Sequence, residues 1–396
     1  MNQGTGGTGG GAATATPAIG IWRTALKNAG SAEDLRGALR EGHLAFAPER
    51  LRRLAILGAA DEGERLARLC QERGITIAAI ADENPARQGR TLAGVAVRGM
   101  DALEALTRDT PVIIASHRTL LATRRLRQLG FRNTAPFALL QVCSPESFRP
   151  HMFHDGLLED LYANRSRYES LSAQLADDFS RCVLDAVIDY RLGFEPEVLD
   201  SAVEWDLYNP AGLLDFGTDE VYVDGGTFDG DSIALFVQRV NNRFAGIVGF
   251  EPDGKTYSRL EARFGRDPRI RLVNAGLHAR RGELRFTGDA SRGSIFDNTG
   301  GEVIPVVSLD EALAGARASF IKMNIEGSEL DALQGAERTI CRWAPRLGIS
   351  AYHRPSDLWA VPQKIHDIDP GYSLYLRQHD GGIIETVCYA LPGQKL

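Results

Sequence analysis

Between residues 48 and 144, short unbroken apolar runs alternate with longer segments whose apolar residues recur every three to four positions. LRRLAILG, ITIAAIAD and PVIIAS, the last ending at Ser116, read as strands, while DEGERLARLCQERG, stopped by Gly74, and RTLLATRRLRQLG read as helices. Strands without period-two alternation are covered on both faces, so this stretch predicts a Rossmann-like parallel sheet flanked by helices. A short helical stretch over 31–40 precedes it. From 145 to 219 the strand signal disappears, and segments such as EDLYANRSRYESLSAQLADDFSRCVLDAVIDYRLG carry apolar residues at helical spacing, which predicts a helical connector. Over 220–396 the alternation resumes with VYVDGG, GIVGFEP, IRLVNAG, FIKMNIEG and LGISAYHRP. YSLYLRQH and ETVCYALP, joined through a DGG turn, then predict a terminal antiparallel hairpin. The expected fold class is therefore α/β, with two doubly wound, mostly parallel sheets joined by helices.

Composition narrows the range of functions. With 45 basic and 52 acidic residues the net charge is −7, and 43% apolar with 24% charged positions is ordinary for a globular chain of this length. The acidic balance and the lack of a Lys/Arg block argue against nucleic acid as a partner. Residues 1–20, rich in Gly, Thr and Ala and without Lys or Arg, predict a flexible tail and exclude a secretory signal. No run approaches the roughly 20 apolar residues of a membrane span. The cysteines Cys70, Cys143, Cys182, Cys341 and Cys388 are odd in number and never form a CxxC pair, which predicts reduced thiols and a cytoplasmic protein. Nothing in the pattern sets the oligomeric state.

Ligands of an open parallel sheet bind beyond the carboxyl ends of its strands, near the point where strand order reverses. The second sheet places one polar residue at each such end: Asp224, Glu251, Asn274, Asn324 and His353. Any one of these can be a helix cap or a loop residue; five in succession point to a site. After the first strand comes Asp224-Gly225-Gly226-Thr227-Phe228-Asp229-Gly230, a DxGxxxG loop. Gly226 and Gly230 permit a tight turn and close backbone approach, and Asp224 can accept a hydrogen bond from an ammonium group. Glu251, about 20 residues on, is spaced to bind both hydroxyls of a ribose. Asp229 and Asp231 crowd negative charge beside the loop, which disfavours pyrophosphate and favours a phosphate-free nucleoside such as S-adenosylmethionine.

VYVDGGTFDGDS, GFEPD, SLDE, FIKMNIEGSELDALQGAE, ISAYHRPSDLW and YLRQHDGGIIETVCYA together resemble the FkbM-type S-adenosylmethionine-dependent methyltransferases over residues 221–391. The resemblance implies a class I methyltransferase-like sheet with S-adenosyl-L-methionine as cofactor. It would be held by Asp224, Gly225, Gly226, Phe228, Asp229, Gly230, Glu251 and Asn274. It further implies an acceptor hydroxyl, mostly of a sugar, facing the ends of the fourth and fifth strands. One departure stands out: the family's fourth strand usually reads IKMDIEG, and Asn324 replaces the aspartate. An amide can neither take a proton nor serve well as a hard-cation ligand, so Asn324 either orients the hydroxyl or caps a loop. Glu326 keeps a carboxylate nearby. His353 has the ordinary pKa for a general base and is the expected one, unless it is a loop histidine bonded to backbone. Pro355, Asp357 and Trp359 shape the turn after it, and His379 and Glu385 border the hairpin.

Other motifs have blander readings. Ser308 and Glu311 have capping-box spacing. His151 and His154 form an HxxH that would align on one helical face, but no third ligand is evident, and no metal is expected. In the first sheet Gly58-Ala59-Ala60-Asp61-Glu62-Gly63 with Asp82 imitates a dinucleotide fingerprint, yet Ala60 adds a Cβ, and Asp61 and Glu62 place two anions where phosphates would lie. The first sheet is expected to be a scaffold, or to hold a nucleotide sugar or a partner. The resulting expectation is O-methylation of a saccharide or glycan-precursor hydroxyl. An NAD-linked sugar oxidoreductase and a donor-binding module without catalysis are the alternatives.

Overall fold

The structure, a computed structural model, describes residues 20–287, 295–296 and 302–393. The expected tail lies outside the described residues up to position 19; Gly20 donates its N–H to Asp189 Oδ2.

The N-terminal sheet comprises β1 (Arg53–Leu57), β2 (Thr76–Ala81), β3 (Thr91–Leu92), β4 (Val95–Arg98), β5 (Val112–Ile114) and β6 (Thr134–Pro136), ordered β3-β4-β2-β1-β5-β6. Every pairing is parallel except β3 with β4. The helices Asp61–Glu72 and Thr119–Gln128 lie where the helical spacing put them, and Ser31 caps the helix Ala32–Gly42 by accepting the Asp34 N–H. Strands β3, β4 and β6 carry no apolar run long enough to announce them.

The second sheet holds β7 (Val221–Gly225), β8 (Gly246–Phe250) and β9 (Ile270–Val273). A separate four-stranded sheet follows, made of β10 (Gly276–Leu277), β11 (Gly282–Thr287), β12 (Ile295–Phe296) and β13 (Glu302–Val307). The chain then returns through β14 (Phe320–Met323), β15 (Arg346–Ser350), β16 (Tyr372–Gln378) and β17 (Thr386–Pro392) to complete the order β16-β17-β15-β14-β7-β8-β9. The five expected parallel strands and the antiparallel hairpin are present, with β17 inserted between β15 and β16. Ser308 accepts the Glu311 N–H at the head of helix Leu309–Leu313, as its spacing predicts. Strand order reverses between β7 and β14, and that crevice is where the loops described below converge.

The connector forms helices Leu157–Ala163, Arg165–Gln174 and Asp178–Gly193 and then leaves the helical path, apart from one 3₁₀ turn at Pro196–Leu199. It is bonded to the β16 edge: Ser180 Oγ accepts the Leu376 N–H at 3.0 Å, Asp177 pairs with Arg377 at 2.8 Å, and the Glu204 N–H reaches Gln378 O at 2.8 Å. The principal apolar core runs without a break from Trp22 through Leu184 and Val187 to Ala390, so both sheets and the connector are packed as one body.

Candidate active site

The carboxyl ends of β7, β8 and β14 are bound to one another by buried polar contacts. Lys322 on β14 is 3% exposed and Asp224 on β7 is 0% exposed, and their charges meet at 2.8 Å. The ammonium also donates to Gly225 O at 3.1 Å and Gly226 O at 2.8 Å, so all three of its protons are used. The second Asp224 oxygen accepts the Ser232 hydroxyl at 2.5 Å. Gly226 has φ +75°, and a Cβ there would lie 1.9 Å from Asn324 O. A Cβ at Gly230, φ +83°, would lie 2.3 Å from the Phe264 ring. Both glycines are therefore demanded by contact with the protein itself.

At the end of β8, Glu251 Oε2 accepts the Phe228 N–H at 2.9 Å and Oε1 accepts the Asp253 N–H at 2.9 Å. Burial pushes its carboxyl pKa up, partly offset by these N–H donors. The exposed Asn274 donates its amide to Glu251 O at 2.9 Å and Pro252 O at 3.1 Å, holding the strand end in place. Asp229 is exposed, and its carboxylate accepts the Asp231 N–H.

Beyond β14 and β15 lies a second group. His353 is 0% exposed, with Nδ1 3.0 Å from Glu329 Oε1 and Nε2 3.6 Å from Glu326 Oε2. Burial pulls the imidazole pKa down, but Glu329, Glu326 and Asp357 outweigh it and push it up to about 9. Burial and the Glu329 charge push the Asp357 carboxyl up to about 7. Tyr352 donates its hydroxyl to Asn324 Oδ1 at 3.3 Å. Among the charges bearing on the buried Tyr352 hydroxyl are Glu385 from the hairpin and Glu326, and the Tyr208 phenol from the connector faces it as well. Phe228, Glu326, Glu385 and Tyr208 all have positive φ, at 49°, 55°, 62° and 57°. Non-glycine residues so held carry strain of order 1–3 kcal/mol each and gather at functional sites.

A family model described as the methyltransferase FkbM domain matches residues 224–377, the span that supplies most of these groups. The chain carries an FkbM methyltransferase domain. A solved FkbM methyltransferase from Methylobacillus flagellatus KT is similar over 93% of this chain and 100% of its own, with 26% identity and a TM-score of 0.70. Fibrillarin from Aeropyrum pernix, solved with natively bound S-adenosyl-L-methionine, is similar at 12% identity over 46% of this chain and 70% of its own, with a TM-score of 0.31. No curated protein sequence matches the chain. The protein is a methyltransferase, and S-adenosylmethionine is its methyl donor.

Within the FkbM domain the structure revises several expectations. Asp224 meets the ammonium of Lys322 in place of a ligand's, because β14 lies directly beside β7. Lys322 itself escaped the sequence reading, since a lysine inside an apolar run gives no hint of its partner. His353, expected at an accessible strand end, is covered by Phe153 of the connector at 6.0 Å and by Tyr352 at 4.3 Å. His151 and His154 do not share a helical face, because residues 152–156 form turns ahead of the helix Leu157–Ala163. Among the described residues, Glu329, His353 and Asp357 are the group whose ligand atoms lie close enough together, within 4.8 Å, to hold a metal ion. Among the described residues no helix is long and apolar enough to cross a membrane.

Proposed function

We propose that the protein methylates a hydroxyl of a saccharide or glycan precursor, with Glu251 holding the methyl donor and Glu326 taking the hydroxyl proton. The family resemblance supplies the saccharide; the Glu326–His353–Glu329 array supports the hydroxyl. A hydroxyl is a weak nucleophile that benefits from a base as it attacks, and a carboxylate beside a buried imidazolium is such a base held in one place.

The cradle suits the donor's nucleoside. Glu251 is 7% exposed, and each of its oxygens accepts one backbone N–H, which leaves a second lone pair on each for the two ribose hydroxyls. Gly225, Gly226, Phe228, Asp229, Gly230 and Asn274 shape and brace the loop around it, with Asp224 and Lys322 locking it from beneath. Bound there, S-adenosylmethionine supplies an electrophilic methyl carbon on a sulfonium.

Chemistry on the acceptor side belongs to residues of the chain. Glu326 would take the hydroxyl proton as the acceptor oxygen gains the methyl group that a donor held by Glu251 would supply, with S-adenosylhomocysteine as the other product. Glu329, Glu326 and Asp357 raise the pKa of His353 to about 9, which favours its protonated form at neutral pH and favours Glu326 over the expected His353 as the base. The imidazole Nε2 lies 3.6 Å from Glu326 Oε2 and pairs with it electrostatically. Asn324 accepts from Tyr352 and keeps its amide N–H groups for orienting the acceptor oxygen. The five cysteines are free, which fits a cytoplasmic setting.

The donor half is tested by calorimetric titration with S-adenosylhomocysteine. Glu251→Ala should weaken binding by about 1.5–3 kcal/mol, the range for hydrogen bonds to a charged group. Unchanged affinity in a folded variant would remove Glu251 from the donor site.

A further inference from the structure

The N-terminal sheet repeats the acid clamp of the methyltransferase sheet. Asp82 ends β2 as Glu251 ends β8. Its Oδ2 accepts the Ala59 N–H of the loop after β1 at 2.7 Å, and its Oδ1 accepts the Asn84 N–H two residues on at 2.8 Å. Glu251 makes the same two bonds, to Phe228 in the loop after β7 and to Asp253 two residues on. The match extends to the backbone: Gln88 donates its side-chain amide to Asp82 O at 2.9 Å, as Asn274 does to Glu251 O. Exposure is also alike, 5% for Asp82 and 7% for Glu251. Asp82 Oδ2 also meets the half-exposed Arg87 guanidinium at a long 3.5 Å. Its Oδ1 keeps a free lone pair, and a ribose hydroxyl can displace the long Arg87 contact at Oδ2, the arrangement that suits a ribose diol at the edge of a crevice.

This crevice is the switch point of its own sheet, because β1 lies between β2 and β5. Its walls are the loop at Gly58, where a Cβ would lie 2.4 Å from Ala115 O, and the residues Ser116, His117 and Arg118 after β5. It also adjoins the methyltransferase site. Leu120 N–H and Thr119 Oγ1 both donate to Gly381 O in the β16–β17 turn, and a Cβ at Gly382 would meet His117 O at 2.6 Å. His151 lies in the fields of Glu62, Arg65 and His117 from the first sheet's side and of His353 from the second. The carboxyl ends of the two sheets thus share one boundary.

We propose that the crevice at Asp82 binds the nucleoside of a nucleotide sugar, so that the sugar reaches across the boundary to Glu326 and is the methyl acceptor. Asp61 and Glu62 oppose a pyrophosphate on the helix that starts there, the position a dinucleotide would use. The diphosphate is instead directed toward His117 and Arg118, on the side of the hairpin. This inference rests on the reading of the protein as a saccharide O-methyltransferase and names the form in which the saccharide arrives.

The test uses the full chain saturated with S-adenosylhomocysteine, titrated calorimetrically with UDP, GDP, ADP and CDP. At least one should bind with a micromolar Kd, and its 2′-deoxy counterpart and the variant Asp82→Asn should each bind it at least roughly tenfold more weakly. The sugar conjugate of that nucleotide should accept a methyl group, seen by mass spectrometry. Asp82→Asn should leave S-adenosylhomocysteine affinity intact, which certifies its fold, and Glu251→Ala should leave nucleotide affinity intact. The proposal is overturned if none of the four binds more tightly than about 1 mM, if Asp82→Asn binds as the wild type does, or if NAD binds in preference to all four. It is equally overturned if a nucleotide binds but no conjugate is methylated. Methylation of a free saccharide in that case would leave the broader assignment standing, whereas loss of methyl transfer to every hydroxyl would remove the broader assignment itself.

Discussion

Lys322 shows how much one side chain can hold in place. It neutralises Asp224 and donates to two carbonyls of the donor loop, all inside the protein. Removing one partner of a buried ion pair typically costs about 3–5 kcal/mol, because the other charge is left uncompensated. Lys322→Met should therefore lower the urea-unfolding free energy by roughly that amount and loosen the loop enough to lose S-adenosylhomocysteine binding. The double variant Lys322→Met/Asp224→Leu should be more stable than Lys322→Met alone, since no lone charge remains buried. A Lys322→Met protein of wild-type stability would mean that the pair does not form. Glu251 was legible in the sequence because its spacing from the glycine loop has a chemical meaning. Lys322 was not, because its partner lies 98 positions away and the pairing follows from strand order. His353 was legible as a strand-end residue but not as a buried one, since Phe153, which covers it, comes from the distant connector.

Among the elements, the loop after β7 depends on a glycine for a reason other than the one its motif suggested. Gly226 was expected to admit a ligand; its missing Cβ admits Asn324 O, at 1.9 Å from where that Cβ would stand. Gly226→Ala should thus push β7 and β14 apart, lowering the thermal midpoint and donor affinity together. Gly212 is the matched control: it has φ +70° and nothing within 4 Å of a Cβ, so Gly212→Ala should cost only about 1 kcal/mol of conformational strain. Equal thermal midpoints for the two variants would refute the packing argument. Apolar runs revealed the central parallel strands because those strands are buried on both faces. The β10–β13 sheet is built from strands as short as Gly276–Leu277 and Ile295–Phe296, too brief for a periodicity to register. The insertion of β17 between β15 and β16 likewise depends on pairing that adjacency in sequence does not specify.

For the molecule as a whole, buried titratable groups set the pH range of stability. A histidine whose folded pKa is raised contributes stability that is complete below its unfolded value near 6.5 and is lost as pH rises through its folded value. For His353 that loss extends to about 9, at a rate of at most about 1.4 kcal/mol per pH unit. On the acid side the effects oppose one another. Burial lowers the pKa of His154 to about 3 and of His379 to about 4, so stability falls below pH 6.5, while burial raises Asp357 and Asp380 to about 7 each, which favours the folded state as pH falls. The expected profile of the urea midpoint is nearly level from about pH 5 to 6.5 and declines from 6.5 to 9, and His353→Gln should flatten the decline. A wild-type midpoint that rises over the alkaline interval would show that His353 is not held as a cation. That cation positions Glu326, and Glu326 is the residue on which the proposed chemistry turns. The decisive measurement is single-turnover methyl transfer by Glu326→Gln, followed by mass spectrometry on an acceptor that the wild type methylates, with S-adenosylhomocysteine affinity measured alongside. A fall in rate on the order of 10²-fold or more with donor affinity unchanged is the predicted result. Transfer at the wild-type rate would contradict the account.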